Sequence, residues 1–109
     1  MPLPSVAIEP LTETAWLVKL VGEHDQATAP EVHKAIDEAV GKGGPVVVDL
    51  TEATFIDSTI IGAIFAVPGE PVVMTSEGSH PRHVLRLVNA GQAVRFVESR
   101  ADAVRAIDA

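Results

Sequence analysis

Cysteine is absent from this chain of 109 residues, and so is tyrosine. Without thiols there can be no disulfide and no thiolate metal site. Aromatic residues are scarce, with one tryptophan and three phenylalanines, so Val, Ala, Ile and Leu must supply the core. Basic residues are few: eight Lys and Arg stand against fifteen Asp and Glu, a net charge of −7. No basic patch suited to nucleic acid is visible, and an acidic surface disfavours docking on anionic lipid headgroups. No apolar run approaches the roughly 18 residues that suggest a membrane span. The opening segment MPLPSVAIEPL has neither the basic region nor the apolar run of a secretory signal. These absences imply a cytoplasmic protein with no membrane insertion and no nucleic-acid partner.

What is present is aliphatic. Hydrophobic residues make up 47% of the chain, which excludes intrinsic disorder, and the length suits a single domain over residues 1–109. The chain is organised around residues 45–67, PVVVDLTEATFIDSTIIGAIFAV. Val46, Val47 and Val48 are apolar on successive residues, the pattern of a strand buried on both faces. That strand is expected to end at Asp49 and Leu50. A polar passage, Thr51 to Thr54, follows, and Phe55 and Ile56 return to the core. Next comes Asp57-Ser58-Thr59, then eight residues without a charge, stopped at Pro68-Gly69. Ser58 is placed at the N-cap of a short helix beside the end of the central sheet, where α/β folds tend to carry functional groups.

Strands are predicted over residues 5–9 and 15–22, joined by the hairpin-like PLTET. Trp16 belongs either to the core or to a cover over the sheet's end. Thr28, with Glu31 three residues later, has the form of a capping box, and Pro30 suits the first turn. The helix that follows runs to about Val40, with Val32, Ala35, Ile36, Ala39 and Val40 on one stripe. Residues 71–75 read as a strand. Ser79 caps a helix whose core face is Val84, Leu85, Leu87 and Val88, ending at Gly91. Residues 94–98 form the last strand, and Ser99 with Asp102 caps a final helix. The order β β α β α β α β α predicts an α/β fold: a mixed sheet, an antiparallel opening hairpin, parallel later strands and about four helices.

The helix after Ser58 has no polar face. Ile61, Ile64 and Phe65 are assigned to the core, and Ile60, Ala63 and Val67 to an outward strip that contacts a partner or a second copy of the chain. The alternative is a helix tucked inward with nothing exposed. Other chemistry finds little support. His80 and His83 lack a third metal ligand, no GxSxG elbow or P-loop is present, and scattered acids such as Asp25 and Asp57 do not make an acid–base pair. Neither cofactor nor metal is expected.

Three segments carry a family resemblance. GEHDQATAPEVHKAIDEAV resembles the Gly-Glu-Leu-Asp segment and first helix of the STAS domain, the fold of bacterial anti-sigma factor antagonists. VVVDLTEATFIDSTIIGAI resembles its central strand and Asp-Ser-Ser-Gly motif, and HPRHVLRLVNAGQAVRFVESRADAVRAI its C-terminal helix–strand–helix. Thr59 takes the place of the second serine and Ile60 that of the glycine. The link Pro68-Gly69-Glu70 is short for the family. The resemblance implies a protein-binding regulator of transcription, not an enzyme. Such a regulator sequesters an anti-sigma factor that is also a serine kinase, is switched off by phosphorylation of the residue at Ser58, and is restored by a phosphatase. Asp57, Thr59 and Asp25 match the neighbours of that phosphosite. The family also implies an alternative, a STAS subunit of an ABC lipid-transport complex. A small-ligand or nucleotide sensor, its ligand held at the start of the Ser58 helix, is a third possibility.

Overall fold

The computed structural model describes residues 3–88 and 94–108. Its elements are β1 (Ser5–Pro10), β2 (Trp16–His24), α1 (Ala29–Gly41), β3 (Val46–Ile56) and α2 (Ser58–Phe65), then β4 (Val72–Met74), α3 (His80–Val88), β5 (Arg95–Val97) and α4 (Arg100–Asp108). Gly91, expected to end α3, lies outside the described residues.

The five strands lie in sequential order, β1-β2-β3-β4-β5. β1 and β2 pair antiparallel, from Ser5↔Val21 to Pro10↔Trp16. The pairs β2–β3, β3–β4 and β4–β5 are parallel. Successive right-handed crossovers that step in one direction place their helices on one face of a sheet. Accordingly α1, α2 and Leu85 of α3 share one core with Val18, Leu20, Val48, Leu50 and Val73. α4 follows the last strand and packs alone on the other face, where Ala103 meets the cluster of Leu17, Val47, Met74 and Val97. The three successive valines of β3 are buried, Val46 and Val48 toward the first layer and Val47 toward the second.

β3 is longer than its sequence suggests. It runs through the polar passage to Ile56, because β2 continues beside it to His24 and pairs Glu23 with Phe55 and His24 with Ile56. Register shifts at Lys19/Val21 and Gly22/Glu23 absorb the extra residue of β3 at each point. Phe55 is therefore turned out of the core and is 39% exposed. Its ring stacks on His80, with centroids 4.8 Å apart. In α3 the core face is Pro81, Val84 and Leu85, whereas Leu87 and Val88 are exposed. Leu87 lies two residues from Leu85, about 200° around the helix, and so cannot share its face.

Trp16 is half-buried at the start of β2, and the Lys42 ammonium lies 4.6 Å from its ring centroid. The same end is closed by backbone contact. Trp16 N–H donates to the Pro45 carbonyl at 2.9 Å. Gly44 has φ 84°, and a Cβ there would fall 1.9 Å from the Thr14 carbonyl oxygen. Among the described residues no helix is long and apolar enough to cross a membrane.

Candidate functional site

Parallel pairing brings the C-terminal ends of β2 and β3 side by side. His24 and Ile56 are register partners, so the turns that follow, Asp25 to Thr28 and Asp57-Ser58, meet at one rim of the sheet. Asp57, not Ser58, caps α2. Its backbone is extended (φ −115°, ψ −173°), and its side chain accepts from the N–H groups of Thr59 at 3.0 Å and Ile60 at 3.3 Å. The Thr59 hydroxyl donates to the same oxygen at 2.5 Å. These donors satisfy first-turn groups that the helix itself cannot.

The Thr59 hydroxyl, together with the backbone N–H groups of Ile60, Thr59 and Gln26, holds the Asp57 carboxyl below its ordinary value, against a smaller opposing effect of desolvation. Gln26 belongs to the turn that carries Asp25, whereas among the described residues the hydrogen bonds on the Asp57 carboxylate come from Thr59 and Ile60. Asp25 shapes its own turn. Its carboxylate accepts from Ala27 N–H at 2.9 Å, and its carbonyl accepts from the N–H groups of Thr28 at 3.0 Å and Ala29 at 2.9 Å.

Ser58 is the first residue of α2 and is exposed. Because Asp57 has taken the cap, the Ser58 hydroxyl makes none of the side-chain hydrogen bonds found among the described residues. The Asp25 turn lines a hollow of about 430 Å³ with Leu3, Pro4, Gly22, Glu23 and Thr54, and Ser58 is not part of its lining. Because His24 and Ile56 are register partners, Asp25 and the Asp57-Ser58-Thr59 segment leave the sheet at the same rim.

Ile60, Ala63 and Val67 are not part of it. They are 0%, 0% and 6% exposed and lie in the main core with Ile64. The outward strip assigned to them is corrected by the helical period. Residues 60, 63, 64 and 67 recur at i, i+3, i+4 and i+7, a single face, and this is the face that docks on the sheet. Gly62 and Ala66 are exposed, while Ile61 and Phe65 are half-buried at the flanks. Small residues on the wet side let a helix with no polar face sit at the periphery.

A second correction concerns α1. The capping box does not form: Thr28 is the N-cap, but its side chain caps nothing. Its hydroxyl instead meets His24 Nδ1 at 2.9 Å. Sequence reasoning also missed the exposed Phe55.

Taken together, these features describe an α/β module with four helices on a mixed sheet and an unbonded serine hydroxyl at a capped helix start. The family model described as "Mlab, STAS domain" matches residues 9–98, and the chain belongs to that STAS family. No curated protein matches it in sequence. Among solved structures it is similar to an anti-sigma factor antagonist from Mycobacterium paratuberculosis, at TM-score 0.85 and 20% identity, covering 98% of this chain and 96% of that one. It is similar to the anti-sigma factor antagonist SpoIIAA in its unphosphorylated form, at TM-score 0.70 and 17% identity over 95% and 98% of the two chains. The phosphorylated form of the Bacillus cell fate determinant SpoIIAA gives TM-score 0.67 and 18% identity over 94% and 99%. The fold is SpoIIAA-like.

Proposed function

We propose that this chain is a protein-binding regulator of the anti-sigma factor antagonist kind, with Ser58 as a phosphoacceptor and a serine-kinase anti-sigma factor as its partner. The observation that carries this is the state of Ser58. Its hydroxyl is exposed and not engaged in capping, so a kinase can reach it without first breaking a hydrogen bond. A phosphate there adds roughly −1.5 to −2 charges at neutral pH. The start of α2 accommodates that charge. Asp57 and Asp25 beside it do not, and the new dianion changes the face presented to a partner. The solved relatives include SpoIIAA with and without phosphate. In this reading the chain is a kinase substrate in the cytoplasm, has no catalytic activity of its own, and is restored by a phosphatase.

The test is incubation with ATP and the anti-sigma kinases of the source organism, followed by intact mass and site mapping. One phosphate on Ser58 is expected. Absence of phosphate with all of them removes the switch. A second reading is favoured by the description of the matching family: a small STAS subunit that binds the ATPase of an ABC lipid-transport complex, without modification of Ser58. Capture of partners from the source organism separates the two, yielding a soluble kinase-like protein or a transport ATPase.

A further inference from the structure

The charges of this chain are unevenly spread. Residues 1–81 hold three lysines against twelve acids, and residues 82–109 hold all five arginines against three acids. An acidic chain thus carries one mildly basic region, built on α3, β5 and α4.

These elements meet at an edge of the sheet. β5 is the last strand and pairs with β4 alone among the described residues. Arg95 N–H donates to the Pro71 carbonyl at 2.9 Å, and the Val97 carbonyl accepts from Thr75 N–H at 2.9 Å. Backbone groups alternate in direction along a strand, so the N–H and C=O of Phe96, between those two, point to the open side. Side chains alternate as well. Phe96 packs with the first layer and Val97 with the second. Arg95 takes the same face as Val97 and lines a hollow with Ala106 and Ile107 of α4.

A groove of about 500 Å³ is lined by β5, by Arg82 of α3, and by Asp102 and Arg105 of α4. Because α3 and α4 lie on opposite faces, a groove that touches both crosses the open edge. The Arg82 guanidinium lies 5.4 Å from the Phe96 ring centroid and donates to Glu98 at 2.9 Å. Arg105 pairs with Asp102. Arg95 is exposed and takes part in no salt bridge among the described residues.

We propose that the open edge of β5 is a docking site for an extended acidic segment of a partner protein. The segment adds a strand beside β5 and exchanges hydrogen bonds with the backbone of Phe96. Its acidic side chains meet Arg95 and Arg105 on the α4 face, and its apolar ones cover the Phe96 ring on the other. The charge of this edge selects the occupant. Two β5 edges brought together oppose their guanidinium groups, which is how charge guards an edge against copies of itself. The other edge strand, β1, offers one acid, Glu9, and that already faces Arg100 at 3.7 Å. A second copy is therefore a poor match and an acidic strand from another protein a good one. Ser58 is not part of the groove, so this contact is independent of the phosphosite proposed above.

The test is NMR titration of the whole ¹⁵N-labelled chain with a short peptide of alternating Glu and Val. The amide signals of Arg95 to Val97 are expected to shift, and exchange of the Phe96 N–H to slow. The same peptide with Lys for Glu should leave them in place. A version N-methylated at alternate residues, which keeps the charge but not the edge hydrogen bonds, should bind more weakly. Arg95→Glu, at an exposed position, should keep the fold and weaken binding about tenfold. No response of β5 at millimolar peptide overturns the proposal. So does equal binding of the Lys or N-methylated peptide, or an equal response to free glutamate or citrate, which would mark a simple anion site.

Discussion

Asp57 and Ser58 are neighbours with separable duties. Asp57→Ala removes the cap of α2, and an N-cap loss of this kind costs about 1 kcal/mol, which lowers the melting temperature by roughly 4–8 °C in a domain of this size. The Asp57 carboxyl titrates below its ordinary value in the folded chain. Its ionised form therefore stabilises the fold fully above the unfolded value of about 3.9. That contribution is lost as pH falls through the lower folded value. Asp57→Asn keeps a capping oxygen without the charge, so its stability should fall less between neutral pH and about pH 3 than that of the wild type. Urea titrations at several pH values check this. Ser58→Ala deletes a hydroxyl that caps nothing, and its stability should stay within about 0.5 kcal/mol of wild type. For partner capture, Ser58→Ala should bind and Ser58→Glu should not. Binding by both, or by neither, contradicts the switch.

At the scale of elements, α2 shows what a short apolar helix leaves open. Its sequence predicts a helix after Asp57 and a stop before Pro68, and both are found. It offers two apolar stripes, however, Ile60-Ala63-Ile64-Val67 and Ile61-Ile64-Phe65. Composition does not choose between them. The choice is made by the crossover from β3 to β4, which places the first stripe in the main core together with Val48 and Val73. Ile64→Ala should cost about 2–5 kcal/mol, the range for large-to-small changes in a packed core. Ile60→Asp should unfold the chain rather than alter a contact, because it places an unpaired charge at a site with 0% exposure. Ala66→Glu, on the outer side, should leave the stability unchanged within about 0.5 kcal/mol. Circular dichroism melts of the three variants distinguish this packing from the opposite one. Loop chemistry shows the same limit. Ser99 does accept from Asp102 N–H at 3.1 Å as its spacing predicts, but Thr28 is diverted by a histidine that is close to it only because the turn folds back.

For the whole molecule, the order of strands and helices was legible because each element carries its own period and punctuation. With the strands in sequential order, right-handed crossovers place α1, α2 and α3 on one face, and α4 covers Leu17, Val47, Met74 and Val97 on the other. Ala103→Asp, at 0% exposure in that second layer, should therefore prevent cooperative unfolding as seen by tryptophan fluorescence in urea. A folded, cooperative variant would mean that α4 is dispensable.

By itself the sequence determined the element order, the buried central strand, and the location of Ser58 at the start of a short helix beside the end of the sheet. These follow from residues near one another in the chain, through side-chain period, capping and turn chemistry. Only the tertiary structure decided that β3 runs on through its polar passage, since a neighbouring strand was there to take its hydrogen bonds. It also decided that Ile60 points inward, that Phe55 points out, and that His24 is buried against Thr28. Each of these is a choice between locally equal alternatives, and it is settled by what the remainder of the chain places alongside.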